Sequence, residues 1–176
     1  NCHALGSEIN DDKGYAVKYA DIVTQSYHPV KHITSGEGGS VLTNDSNIIE
    51  KVKLLRSHGM QKTNMTSNDK NYPWYYEMNE LGFNYRITDI QCALGISQLS
   101  KLNKIINKRK KIAKLYDNSF KDLKNIFIPQ FKKREKSSNH LYILNFDFKK
   151  LNLSRNQLVK NLLNKNIITQ VHYIPI

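Results

Sequence analysis

The sequence has little of what marks a secreted, metal-binding or membrane-spanning protein. Its 176 residues include only two cysteines, Cys2 and Cys92, which are isolated and lack the spacing of metal ligands. Such usage suits a reducing compartment, so we expect a cytoplasmic protein without a metal site. No apolar run approaches the roughly 18 residues that cross a bilayer, and the start at Asn1 carries no signal-type stretch. We therefore expect no membrane partner, and we interpret the chain as part of a longer one.

Acidic residues are also scarce, with 15 Asp and Glu against 27 Lys and Arg, which gives a formal charge of +12. Most of the excess lies between Lys101 and Lys136, where the run Lys108–Lys111 alternates with apolar residues such as Ile106 and Leu115. This pattern is typical of the solvated face of an amphipathic helix. We expect no nucleic-acid partner, although a basic module that binds polyanions stays open as an alternative function.

The first half of the chain alternates strand and helix patterns. We predict strands at Ala20–Tyr27 and Gly39–Thr43, and a helix that starts at Asp45 or Ser46 and ends near Gly59. The segment from Gln61 to Glu80 is polar, aromatic and aperiodic, which favours a long loop. This order is typical of an α/β domain.

The second half begins with helices and changes character near its end. The capping box at Thr88–Gln91 predicts a helix that breaks near Ser97, followed by a longer helix from Leu99 towards Tyr116. A strand at Leu141–Phe146, a second capping box and a strand at Ile167–Val171 then follow. We place the second capping box at Ser154–Gln157. A small α+β domain is the architecture that this order indicates.

Lys31 occupies a distinctive position. It ends the segment Ser26–Lys31, which continues an apolar, strand-like run, and it stands just before the glycine-rich stretch Gly36–Gly39. A lysine held in such a place is partly desolvated and fixed, so its amine is a usable nucleophile. Proteins bind aldehyde cofactors in this way, through a Schiff base. Most single lysines are merely solvated, so the motif needs support from other segments.

Four segments supply that support, in the same order along nearly the whole chain: Asn1–Gly6, Ser26–Gly39, Gly82–Gln91 and His172–Ile176. Together they resemble the signatures of the DegT/DnrJ/EryC1/StrS family of sugar aminotransferases, and Arg56–Gly59 also matches family usage without a clear role. The resemblance implies an α/β fold of the type I pyridoxal-phosphate transferases, similar to aspartate aminotransferase. The chain resembles the C-terminal half of that family, so we expect it to be inactive alone.

The resemblance also implies domains and site residues. Residues 1–98 would finish the large cofactor-binding domain, and residues 99–176 would form a truncated small α+β domain. Lys31 would bind pyridoxal 5′-phosphate covalently, Ser26 would contact its phosphate and His3 would stack on its ring. Asn84 would reach the cofactor phosphate of the other subunit of a homodimer. Three residues would lie near the substrate: Arg86, His172 and Tyr173.

The reaction that the resemblance implies is a transamination with glutamate as amino donor and a nucleotide-linked keto sugar as acceptor. The sequence around Lys31 is similar to that of one branch of the family. Those enzymes aminate C4 of a UDP-linked 4-keto-6-deoxy-N-acetylhexosamine on the route to pseudaminic acid, a component of surface or flagellar glycans. A dehydrating branch has histidine in place of the lysine, so Lys31 argues against that reaction. A non-catalytic relative of the fold is a further alternative, and the joint presence of Lys31, Ser26, His3 and Asn84 speaks against it.

Overall fold

The computed structural model describes residues 1–61, 74–129 and 135–173. The chain divides into two units, the first formed by Asn1–Lys111 with Phe131–Leu141 and the second by Ile112–Gln130 with Tyr142–Ile176. The division falls within a long helix. The boundary that we expect between residues 98 and 99 concerns the domains of the family fold, and it stays a prediction.

The described residues contain five helices: α1 Ala16–Tyr19, α2 Ser46–Arg56, α3 Asp89–Leu99, α4 Leu102–Phe120 and α5 Arg155–Leu163. They also contain eight short strands: β1 Glu8–Ile9, β2 Val23–Ser26, β3 Gly39–Leu42, β4 Met60–Gln61, β5 Glu77–Met78, β6 Ile126–Phe127, β7 Glu135–Lys136 and β8 Asn145–Phe146. The strands form four antiparallel pairs, β1–β7, β2–β3, β4–β5 and β6–β8. Across the described ranges, no helix has the length and apolar character to cross a membrane.

Polar caps start three of the helices at the predicted positions. The side chain of Asp45 accepts hydrogen bonds from two backbone N–H groups in the first turn of α2. Both capping boxes are confirmed, with Thr88 and Gln91 at the start of α3 and Ser154 and Gln157 at the start of α5. Each box satisfies two backbone donors that a helix end would otherwise leave unpaired. The predicted break near Ser97 lies slightly later, between the end of α3 and the start of α4.

The lysine-rich helix α4 is amphipathic, as predicted. Ile106 is one of the buried apolar residues of the first unit, whereas Lys108, Lys110 and Lys111 are exposed. The basic run therefore lies on a solvated face, and Ile106 packs inward near the start of the helix, whereas Ile112 and Leu115 further along are 50% and 65% exposed.

The strands are shorter than predicted. β2 and β3 confirm the first two, with a register that runs from Val23 opposite Leu42 to Ser26 opposite Gly39. Of the strand expected at Leu141–Phe146, only β8 forms. The loop expected at Gln61–Glu80 carries β4 and β5 at its two ends, and its residues 62–73 lie outside the described ranges.

The strand predicted at Ile167–Val171 is wrong. These residues form no strand in the described part of the chain, and Ile168 is 83% exposed. A strand needs a neighbour to accept and donate its backbone hydrogen bonds. Here the apolar pattern occurs without such a neighbour, so the pattern alone does not produce a strand.

Large apolar side chains are exposed along α3 and the segment before it. Leu81 is 87% exposed and Ile90 is 84% exposed, and Phe83, Tyr85 and Ile96 are also exposed. Exposed apolar surfaces of this kind mark contact sites with other polypeptide.

Candidate functional site

The loop after β2 presents Lys31. The backbone N–H of Lys31 donates to the carbonyl of His28 at 2.9 Å, which closes a turn at the tip of the loop. The N–H of Ser35 then donates to the carbonyl of Tyr27 at 3.0 Å, which closes the loop at its base. Lys31 is half-buried. Its amine therefore stands on a short, hydrogen-bonded loop instead of a free surface chain.

The glycines behind this loop are required by geometry. Gly36 and Gly38 have positive φ angles of 83° and 150°, which side chains rarely adopt. A Cβ atom on Gly38 would lie 2.6 Å from Oγ of Ser35, and one on Gly39 would lie 2.6 Å from the carbonyl oxygen of Gln25. The turn can pack this closely only because these residues have no side chains.

Glu37 joins the glycine turn to helix α3 through its backbone carbonyl. This oxygen accepts hydrogen bonds from Oγ of Ser35 at 2.8 Å and from Nε2 of Gln91 at 3.0 Å. Gln91 is the residue that also completes the capping box of α3. One amide side chain thus connects the start of the helix to the loop that carries Lys31.

The first residues of the chain run beside β2 and bring His3 to this region. The thiol of Cys2 donates to the carbonyl of Thr24 at 3.5 Å. Gly6 packs on α4 so closely that a Cβ atom there would overlap Cδ1 of Ile106. Contacts on both sides of His3 therefore hold its backbone in place.

Three histidines from distant parts of the sequence form a cluster. The ring centroid of His140 lies 4.4 Å from that of His3 and 5.1 Å from that of His32. His32, which follows Lys31, is only 2% exposed, and its Nε2 lies 3.3 Å from the carbonyl oxygen of Ser138. His140 is missing from the sequence-based set of site residues because no motif or spacing connects it with His3 or Lys31.

Burial keeps the inner histidines neutral. Burial lowers the pKa of His140 to about 4, and the charges of His3, His32, Lys31 and Arg109 act in the same direction. Burial also lowers the pKa of His32, and the charge of Lys31 contributes there too. The positive charge of Lys31 therefore acts directly on the histidine cluster.

These depressed pKa values predict a loss of stability in acid. The unfolded chain binds protons at its histidines near pH 6.5, whereas folded His140 binds one only near pH 4. The free energy of unfolding should thus fall as the pH decreases from about 6.5 to 4, with about 1–2 kcal/mol from His140, because solvent screens this partly exposed ring. Urea unfolding of the full-length protein at several pH values measures this. His140→Gln should flatten the pH dependence, and an unchanged slope in that variant would contradict the assignment.

A backbone joint positions Asn84. The N–H of His58 donates to the carbonyl of Phe83 at 2.8 Å, and the N–H of Tyr85 donates to the carbonyl of Arg56 at 3.0 Å. Between them, Ser57 and Asn84 pair as an isolated β-bridge. The Arg-Ser-His-Gly segment, whose role the sequence leaves open, is therefore the anchor of the segment that carries Asn84.

The predicted site residues lie in three places. His3, Ser26 and Lys31 belong to neighbouring segments of the first unit, and Oγ of Ser26 accepts the N–H of His28 at 3.5 Å. Asn84 and Arg86 are exposed on a separate segment of that unit. His172 and Tyr173 belong to the second unit, where their ring centroids are 4.3 Å apart. Residues 174–176 of that last motif lie outside the described ranges.

The residues of the first unit fit a flat aldehyde cofactor with a phosphate. Lys31 supplies a held primary amine, and the hydroxyl of Ser26 has a hydrogen that it can donate to a phosphate oxygen. His3 supplies a flat ring that is backed by another ring. An amine, a hydroxyl and a ring are among the groups that such a cofactor needs.

Substitution of Gly38 should destabilise the turn. In Gly38→Ala, the new Cβ atom meets Oγ of Ser35 at a φ angle that alanine rarely adopts, so we expect a loss of about 1–3 kcal/mol in unfolding free energy. Gly95→Ala is the matched control, because its Cβ atom would be 3.8 Å from its nearest neighbour within helix α3. That variant should be neutral or gain up to about 1 kcal/mol. Thermal and urea unfolding compare the two, and equal stabilities would refute the steric argument.

The fold defines the class of protein. The structure is similar to Helicobacter pylori PseC, an aminotransferase involved in the biosynthesis of pseudoaminic acid, with a TM-score of 0.86 and 39% identity over 99% of this chain and 44% of that chain. It is also similar to Spr1654 of Streptococcus pneumoniae in its PMP form, described as a sugar aminotransferase, with a TM-score of 0.85 and 28% identity over 99% of this chain and 44% of that one. The expected fold is therefore confirmed: the chain has part of the fold of the pyridoxal-phosphate-dependent sugar aminotransferases.

The family follows from the sequence match. The model of the DegT/DnrJ/EryC1/StrS aminotransferase family matches residues 1–176, and the chain belongs to this family. A UDP-4-amino-4,6-dideoxy-N-acetyl-β-L-altrosamine transaminase of Campylobacter jejuni is 42% identical over 173 residues, which are 98% of this chain and 43% of that protein. The chain spans less than half the length of the curated relatives it matches.

Proposed function

We propose that the full-length protein is a pyridoxal-phosphate-dependent aminotransferase that transfers an amino group to a nucleotide-linked keto sugar. The observation that carries the proposal is the placement of half-buried Lys31 on a closed loop, directly before His32 of the cluster that contains His3. Membership of an aminotransferase family supports it. The lysine-rich surface of α4 does not contribute to this proposal, because its lysine side chains are exposed to solvent on that helix.

The three predicted site residues Lys31, Ser26 and His3 each have a part in this reaction. Pyridoxal 5′-phosphate, when bound, supplies a ring that takes up electrons from the carbon that bears the amino group. Lys31 would hold the cofactor aldehyde through Nζ, and as a free amine it would take the proton from the Cα of the amino donor. The hydroxyl of Ser26 would donate to a phosphate oxygen, and the imidazole of His3 would lie against the cofactor ring.

The substrates follow from the relatives. We propose glutamate as amino donor and a UDP-linked 4-keto-6-deoxy-N-acetylhexosamine as acceptor, aminated at C4, for surface or flagellar glycans. The names of the Campylobacter and Helicobacter relatives support the choice of acceptor, whereas glutamate rests on the family resemblance. Arg86, His172 and Tyr173 are the proposed contacts of the sugar nucleotide. We propose a cytoplasmic location, which the two isolated cysteines support because free thiols are typical of a reducing compartment.

We further propose that two copies form a homodimer in which Asn84 completes the partner's site. Asn84 is exposed, and its flanking residues Phe83 and Tyr85 are exposed rings stacked at 4.8 Å. Neighbouring Leu81 and Ile90 are exposed as well. A polar side chain within an apolar surface, fixed by the backbone joint, suits a contact across an interface.

A spectrum of the full-length protein tests the role of Lys31. With added pyridoxal 5′-phosphate, the wild type should show a visible absorption band of the cofactor bound to a lysine, and borohydride should make the link permanent. Lys31→Ala should lack this band, whereas Lys110→Ala, at an exposed lysine of α4, should keep it. A wild type without the band would refute the proposed function.

Mixed dimers test the position of Asn84. Lys31→Ala and Asn84→Ala should each be strongly impaired alone. In their mixed dimer one site has an intact Lys31 and receives an intact Asn84, so unfolding and refolding an equal mixture should restore about one quarter of wild-type activity. The double variant Lys31→Ala/Asn84→Ala, mixed with Asn84→Ala, is the control and should restore nothing. Failure of the first mixture to regain activity would place Asn84 in its own subunit's site or outside any site.

A further inference from the structure

We infer that His140 is a positioning residue, whose ring holds the imidazole of His3 in the orientation that faces the cofactor. The inference rests on the proposed function, and it deepens the description of the same site. His140 contacts both His3 and His32, with ring centroids at 4.4 Å and 5.1 Å. It therefore connects the residue proposed to lie on the cofactor ring with the residue that follows Lys31.

The backbone at His140 is held by several elements. Nη1 of Arg109, on α4, donates to the carbonyl of His140 at 3.0 Å and to that of Asn139 at 3.3 Å. Ser138 is fully buried, and its N–H donates to Oγ of Ser7 at 3.0 Å. The ring of His140 thus projects from a fixed backbone, which a positioning residue requires.

The same contacts fix the segment that carries His3. Oγ of Ser7 lies 2.9 Å from Oγ of Ser138, and β1 pairs with β7 in the register of Glu8 opposite Lys136. The chain segments on which His3 and His140 stand are therefore bound to each other directly. A ring contact between two such segments restricts the rotamers of His3 more than solvent would.

The contact works through shape and not through charge. Burial lowers the pKa of His140 to about 4, so the ring is neutral at neutral pH, next to the cations Lys31 and Arg109. The Nε2 of His32 faces a carbonyl oxygen, so it carries the hydrogen, and its Nδ1 is a bare acceptor. Among the described residues, Nδ1 of His32 and Nδ1 of His140 are buried without a hydrogen-bond partner.

The test compares His140→Ala with His140→Phe in the full-length protein. His140→Ala should weaken cofactor binding roughly tenfold, which is about 1.4 kcal/mol, and should reduce the circular dichroism of the cofactor band, because His3 gains rotamers. His140→Phe keeps a ring behind His3 and should restore most of both signals. In the protein without cofactor, the ring NMR signals of His3 should shift and broaden in His140→Ala only.

Leu158→Ala, in helix α5 of the second unit, is the control. It should lower stability and leave the contact between His3 and His140 intact. Wild-type cofactor affinity, dichroism and His3 signals in His140→Ala would overturn the inference, and so would equal changes in Leu158→Ala. A wild type without a Lys31-dependent band refutes the proposed function, and the inference falls with it. A normal band in every variant, with unchanged His3 signals, overturns only the role of His140.

Discussion

The packing of residues 135–140 against residues 3–9 is the constraint on which the candidate site depends. Ser7 and Ser138 satisfy each other's polar groups at a fully buried position, and a short strand pair continues the contact. Buried hydroxyls need such partners, so the two segments can meet in only one register. That register places the ring of His140 against the ring of His3 and the carbonyl oxygen of Ser138 near Nε2 of His32. The surroundings of Lys31 are thus built by a contact far from it in sequence.

The site uses the backbone to present side chains. A closed loop with close-packed glycines carries Lys31, and a joint of main-chain hydrogen bonds carries Asn84. In both places main-chain hydrogen bonds make the supporting contacts, and beside Lys31 the buried ring of His32 adds a side-chain contact. The histidine cluster is the exception, since ring against ring is a contact of side chains. This combination brings the loop that carries Lys31 and the ring of His3 into one region of the first unit.

Local signals in the sequence predict most of the secondary structure, because capping boxes and the β2–β3 hairpin depend on neighbouring residues. The lysine motif is equally local, and its family resemblance predicts the fold. His140 and Ser138 could not be found in this way. They matter because they contact Ser7 and His3, more than 130 residues earlier, and such a contact leaves no periodic pattern in the sequence. The strand predicted at Ile167–Val171 is wrong for the opposite reason: its pattern is local, but a strand depends on a distant neighbour.

The path of the chain has a consequence for its synthesis. The chain leaves the first unit after Lys111, returns at Phe131 and leaves again after Leu141. A ribosome releases the residues in order, so Ser7 has no buried partner until Ser138 has been made. By then residues 112–130 of the second unit have already been made. The first unit therefore reaches its final packing only after its last segment has been made.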